Sequence, residues 1–229
     1  IYADDGSGGY TQINELNTPA TVGETTATFD AGVTGRWDNE SVLQVRFYSG
    51  TTSIISLSDT SVLNGANTIA VETPSGWELV QYRTATLVSG NTYELTGLLR
   101  GQNGTEYAIE NSLAQGARVV FLNAAWGSLG ITQSDLGIEN SYRFGPSGVA
   151  VGDGRYTDVT FTASGRSLMP FSPVHLKRKT SGTDHVLQWI RRSRLNADSW
   201  DGMVPLNEDT EAYEVDIYDG STVVRTIEV

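Results

Sequence analysis

The stretch from 77 to 99 leaves this chain few shapes. "WELVQYRTATLV" (77–88) is rich in β-branched and aromatic residues, and "NTYELTGLL" (91–99) returns after Ser89-Gly90-Asn91. Two such runs around a short glycine turn read as an antiparallel hairpin. In the first run Leu79, Gln81, Arg83 and Ala85 oppose Val80, Tyr82, Thr84 and Thr86. "SVLQVRFYSG" (41–50) alternates in the same way, with Leu43, Val45 and Phe47 on one face and Val42, Gln44, Arg46 and Tyr48 on the other. A period of two is what a strand with one buried face requires.

Further strands are expected at "TATF" (26–29), once or twice in "TSIISLSDTSVLNGANTIAV" (52–71, broken at Asn64-Gly65), and at "ARVVFL" (117–122), "SYRFG" (141–145) and "YTDVTFTAS" (156–164). The best helix candidate is "TEYAIENSLAQG" (105–116), with Thr105 as cap, Glu106 in the first turn and Gly116 as the stop. "MPFSPVHL" (169–176) holds two prolines and reads as a domain boundary. Three more strands follow in "HVLQWIRRSR" (185–194), "EAYEVDIYDG" (211–220) and "TVVRTIEV" (222–229). The expected fold is all-β: an antiparallel sandwich or barrel-like domain over 1–170 with one short helix, then a smaller β-domain over 171–229. Residues 127–170 either complete the first domain or form a small second β unit.

Charge narrows the partners. The net charge is −12, so a polyanion such as DNA is repelled on average and nucleic acid is not an expected partner. Nearly every cation is arginine, the exceptions being Lys177 and Lys179. The basic residues bunch in "HLKRK" (175–179) and "WIRRSR" (189–194), either as a solvated strand face with acidic partners across it or as a contact surface for an acidic partner. With no cysteine there is no disulfide and no thiolate site. No apolar run approaches the ~18 residues of a membrane span, so membrane insertion is not expected. No signal peptide is visible, and the chain, which begins at Ile1 and ends in the strand-like "STVVRTIEV", is expected to be a piece of a longer polypeptide.

No catalytic constellation emerges. "GPSGV" (145–149) lacks the spacing of a nucleophile elbow, and His175 and His185 read as strand residues. There is no H-E-x-x-H, and "DDGSGG" (4–9) lacks the alternating ligands of a calcium loop, so it reads as a flexible acidic turn. No carboxylate pair is singled out for glycoside hydrolysis. The expectation is therefore no catalytic residue, no metal and no cofactor. Trp77, Trp126 and Trp189 sit at strands and are expected in the core. Trp37 and Trp200 lie in loop-like stretches and are expected to be the exposed pair, making them candidate glycan or partner contacts together with Arg191, Arg192 and Arg194.

"LLRGQNGTEYA" (98–108) invites several readings. A phosphate loop would need a lysine and a longer spacing. Asn103-Gly104-Thr105 spells a glycosylation acceptor, as does "NES" (39–41). The physical reading is a turn with positive φ at Gly104 and also at Gly101. Arg100 has no backbone reason to be there and is expected to pair with a carboxylate, Glu106 or Glu78, fixing the turn.

The stretch "NTIAVETPSGWELVQYRTATLVSGNTYELTGLLRGQNGTEYA" resembles part of the large tail-tip (baseplate "megatron") proteins of siphovirus-like phages and alphaproteobacterial gene transfer agents. The resemblance rests on Gly76-Trp77-Glu78, Gln81, Leu98-Leu99-Arg100-Gly101 and Gly104-Thr105-Glu106. "YRFGP" (142–146), "LMPFSPVHLK" (168–177), "WIRRSRLNADSW" (189–200) and "VPLNEDTEAYEVDI" (204–217) look like that family's C-terminal region in the same order. The resemblance spans about 10–229, with a family core about 10–126; the acidic, lysine-poor surface departs from it. It implies a virion structural protein of the distal tail, working as a homotrimer with other tail and baseplate proteins and not as an enzyme. The alternative is a carbohydrate-binding receptor-recognition module that attaches the tail tip to a host glycan. Residues 171–229 resemble the start of a fibronectin-type-III-like sandwich. "PVHL" would be its first strand, "LQW" the second with Leu187 and Trp189 inward, and "YEVDI" the third with Tyr213, Val215 and Ile217 inward. About four strands fit, against seven in a full sandwich.

Overall fold

The computed structural model describes residues 1–48, 54–122, 126–195 and 203–229 and divides into two compact units, Ile1–Met169 and Pro170–Val229. In the first unit the elements run β1 (Tyr2–Asp4), β2 (Tyr10–Gln12), β3 (Val22–Thr25), β4 (Phe29–Asp30), β5 (Leu43–Phe47), α1 (Asp59–Leu63), β6 (Thr68–Thr73), β7 (Gly76–Ser89), β8 (Thr92–Leu99), β9 (Ser112–Leu113), β10 (Arg118–Phe121), β11 (Glu139–Phe144) and β12 (Thr157–Thr162).

The long hairpin is present, β7 pairing with β8 through Tyr82↔Leu98 and Ala85↔Leu95. It forms part of a closed six-stranded barrel, ordered β10-β3-β5-β8-β7-β6, with every pairing antiparallel. Closure leaves the barrel no free edge. On β5 the inward face is the apolar one the alternation sets apart, Leu43, Val45 and Phe47. On β7, where the alternation separates two faces without choosing between them, Val80 and Tyr82 point inward, joined by Ile69, Val71, Leu95 and Val119. The all-β, antiparallel expectation holds, with a barrel as its form.

Three local expectations are corrected. The strand expected at 26–29 lies at Val22–Thr25 instead, and only Phe29 and Asp30 pair further on. Gly23 hides that strand from a propensity reading, yet the position needs glycine: a Cβ there would stand 2.4 Å from the Arg46 carbonyl oxygen on β5. The α-helix is α1, inside the stretch read as strand. Its Ser58 side chain accepts from the Ser61 N–H, and Val62 is its buried residue. The stretch 105–116 is not a helix capped by Thr105. It holds a 3-10 segment, Gln102–Ala108, interrupted by left-handed backbone at Asn103 and Gly104, and then β9, which pairs with β4. The Thr105 hydroxyl donates to the Gln102 carbonyl and accepts from the Leu79 N–H, tying the turn to β7.

Residues 139–162 join the N-terminus in a four-stranded sheet ordered β12-β11-β1-β2. "DDGSGG" is the β1–β2 turn. Asp5 Oδ1 accepts from the N–H groups of Ser7 and Gly9, which holds its carboxyl below the ordinary value, the Ser7 hydroxyl being the largest contributor.

The second unit contains β13 (Val174–Ser181), β14 (Asp184–Ile190), β15 (Glu214–Asp219) and β16 (Thr222–Glu228), paired as two separate hairpins. Leu187, Trp189, Tyr213 and Val215 line a groove of about 500 Å³, with Trp189 edge-on to Tyr213 at 5.0 Å between ring centroids. Ile217 lines the same groove and is 40% exposed, so the residues expected to point inward in a sandwich share one surface without being buried. Among the described residues of this unit only Ser193 is buried.

Candidate functional site

Arg100 follows β8 directly, and its side chain turns into the barrel. Glu78 shares the inward face of β7 with Val80 and Tyr82, because it lies two and four residues before them. The two meet at one end of the barrel interior. Arg100 Nε donates to Glu78 Oε1 at 2.6 Å and Nη2 to Oε2 at 2.9 Å, a bidentate pair in which each side chain is 1% exposed. Nη1 donates to the Asp30 carbonyl at 3.0 Å, and the guanidinium lies 3.8 Å from the centre of the Phe29 ring. Glu78 Oε1 also accepts from the Gly101 N–H at 3.2 Å. Gly101 (φ +59) and Gly104 (φ +79) have the left-handed backbone expected of them. At Gly101 the requirement is doubled, since a Cβ would lie 2.6 Å from Glu106 Cγ. Of the two carboxylates proposed for Arg100, Glu78 is the partner.

A second carboxylate approaches from a loop. Asp38 exchanges both backbone hydrogen bonds with Leu98 at 2.8 Å, which brings its side chain alongside Arg100. Its Oδ1 accepts from the N–H groups of Glu40 and Ser41, while Oδ2 is buried with no hydrogen-bond partner among the described residues. Gly32 makes room, because a Cβ there would stand 2.1 Å from that oxygen. Burial pushes the Asp38 carboxyl up, but the Ser41 N–H and hydroxyl, the Glu40 N–H and the Arg100 charge outweigh it and hold it below the usual aspartate value. The stability this ionised form contributes is complete above the ordinary aspartate range and is lost as pH falls through the depressed value. The protein is therefore expected to lose urea resistance below pH ~4 in a step that Asp38→Asn lacks. Superimposable acid limbs for the two proteins would contradict this.

Every nitrogen of the Arg100 guanidinium has a protein acceptor, and Glu78 is enclosed with it. The chemistry on offer is mutual neutralisation and the locking of a turn to a barrel end, as expected for Arg100.

Residues 20–120 match the family model Rcc01698-like, C-terminal. Rcc01698 is a Rhodobacter capsulatus gene associated with its gene transfer agent, and the match is consistent with a gene-transfer-agent-related or phage-related structural protein. The Rcc01698-like region starts just before β3 and ends within β10, so it carries all six barrel strands together with Phe29, Asp38, Glu78 and Arg100. The motifs after residue 140 that resemble tail-tip proteins lie outside it. No curated protein sequence matches the chain.

The candidate contact residues are spread out. Trp37, in the Rcc01698-like region, is half-buried, with the Arg83 guanidinium 5.3 Å from its ring centre. Trp200 lies outside the described residues. In the second unit Arg191 donates to the Val204 carbonyl and to Glu211, Arg192 donates to the Ser172 carbonyl, and Arg194 forms a bidentate pair with Glu208. Sequence reasoning placed Trp77 in the core, but it is 38% exposed and lines a groove of about 570 Å³ with Tyr107, Phe161 and Arg166. Its register on β7 held the signal: Glu78, Val80 and Tyr82 point inward, so Trp77 points out.

Proposed function

We propose that this chain is a structural, non-enzymatic component of a phage or gene-transfer-agent tail tip, positioning the distal tail for contact with the host surface as a homotrimer among other baseplate proteins. The observation that carries the reading is the family match across the whole barrel, in which the most deeply buried charged groups, Arg100 and Glu78, hold the fold together. A closed barrel without free edges is suited to a part that must bear load without pairing with its neighbours' strands. Electron cryomicroscopy of particles from a producing strain is expected to show this chain at the distal tail end in three copies. Particles that lack the chain, or that carry it elsewhere, would overturn the proposal.

A further inference from the structure

The groove beside Trp77 has a composition that packing alone does not explain. It is formed where the start of β7 and the Gln102–Ala108 turn meet the 3-10 segments Gln133–Asp135 and Arg166–Leu168, and it encloses about 570 Å³, within the range of small-ligand sites. Three aromatic rings reach it, Trp77, Tyr107 and Phe161, at 38%, 42% and 48% exposure. An apolar surface of this kind, concave and left open, is a feature of binding sites.

Polar groups around it are uncommitted. The side chains of Gln133 and Ser164, both exposed, line the groove and make no hydrogen bond among the described residues. Arg166 is the sharper case. The chain is acidic, and in Ile1–Met169 the other arginines except Arg36 form salt bridges with carboxylates. Arg166 has no such partner among the described residues. Its guanidinium lies 3.7 Å from the centre of the Tyr107 ring, a stacked position that fixes the plane and leaves the N–H edge available. Gly165, left-handed at φ +69, starts the turn that presents it.

Aromatic faces accept the C–H faces of pyranose rings, amide and hydroxyl groups exchange hydrogen bonds with sugar hydroxyls, and a stacked arginine with a free fork matches a carboxylate bidentately. We infer that this groove binds an acidic saccharide, a chain containing a uronic-acid residue, with Trp77 and Phe161 as stacking faces, Gln133 and Ser164 as hydroxyl contacts and Arg166 on the carboxylate. The site requires nothing of the chain's position in a particle. An acidic loop of a neighbouring protein is the competing occupant, and it would use Arg166 without the aromatic faces.

The test is titration of the whole chain with tetragalacturonate and with a hyaluronan tetrasaccharide, by calorimetry and tryptophan fluorescence, beside cellotetraose and a tetraglutamate peptide at equal ionic strength. Saturable binding of at least one acidic saccharide is expected, weakened about tenfold or more by Arg166→Gln and by Trp77→Ala and for the neutral cellotetraose. Arg166 is exposed and has no carboxylate partner among the described residues, so Arg166→Gln is expected to keep the melting temperature of the parent, and it carries the test should Trp77→Ala fail to fold. Binding of neither acidic saccharide, unchanged affinity in Arg166→Gln, equal binding of cellotetraose, or tighter binding of tetraglutamate would each overturn the inference.

Discussion

Replacing Arg100 with methionine is expected to lower the free energy of unfolding by about 3–5 kcal/mol, because it leaves the Glu78 carboxylate buried without a partner. Glu78→Gln should also destabilise, since the amide oxygen can accept from only one of the two Arg100 donors, the amide NH2 faces the other, and the guanidinium charge is left buried without its carboxylate. The pair is more informative than either variant. Arg100→Met combined with Glu78→Leu removes both charges and fills the barrel end with apolar volume, so it should recover much of what Arg100→Met loses. Urea unfolding at neutral pH measures all three. A loss of only about 1 kcal/mol in Arg100→Met, the scale of an exposed pair, would show that this end of the barrel admits water and that the ion pair does not hold it.

The second large effect concerns the two units. All buried hydrophobic side chains among the described residues belong to Ile1–Met169, whereas Pro170–Val229 offers two hairpins and a half-covered groove. A unit of that size burying so little apolar surface cannot offset the entropy of ordering its backbone. Residues 1–169 expressed alone are therefore expected to keep the cooperative thermal transition of the full chain. Residues 170–229 alone are expected to show no cooperative transition and to give the poorly dispersed amide spectrum of a fluctuating chain. A sharp melt for 170–229 in isolation, at concentrations where it is monomeric, would refute this.

The parts of the structure legible in the sequence are those set by local periodicity. Alternation marked the inward face of β5, because a half-buried strand has only one way to satisfy a period of two; on β7 it separated the two faces but left open which of them is buried. Arg100 stood out because a charged side chain between a strand and the turn that ends it has no backbone role; the sequence left Glu106 and Glu78 both open as partners, and the inward register of Glu78 on β7 decides between them. What stayed hidden depends on distant partners. Gly23 depresses strand propensity, and only the close approach of the Arg46 carbonyl explains it. Helix α1 sits behind the apolar run Ile54-Ile55-Ser56-Leu57, which reads as strand, although Ser58 and Asn64-Gly65 supply its start and stop. Asp38 reaches Arg100 only through its backbone exchange with Leu98. The Trp77 groove assembles side chains from four separate stretches between 76 and 168, and no spacing rule links them.

The barrel's topology also says something about its order of assembly. Neighbours such as β7 and β8 can zip from their turn, but β10 must enter between β3 and β6, with Val119 opposite both Gly23 and Val71. Contacts of that sequence separation carry a large loop-closure cost and slow folding. Until β10 arrives, β3 and β6 each expose an unpaired edge, so a nascent chain halted before residue 118 is the species most prone to strand-mediated aggregation. Late closure makes β10 the step on which the folding rate should depend, and a chaperone's window on this chain would open and shut with that strand.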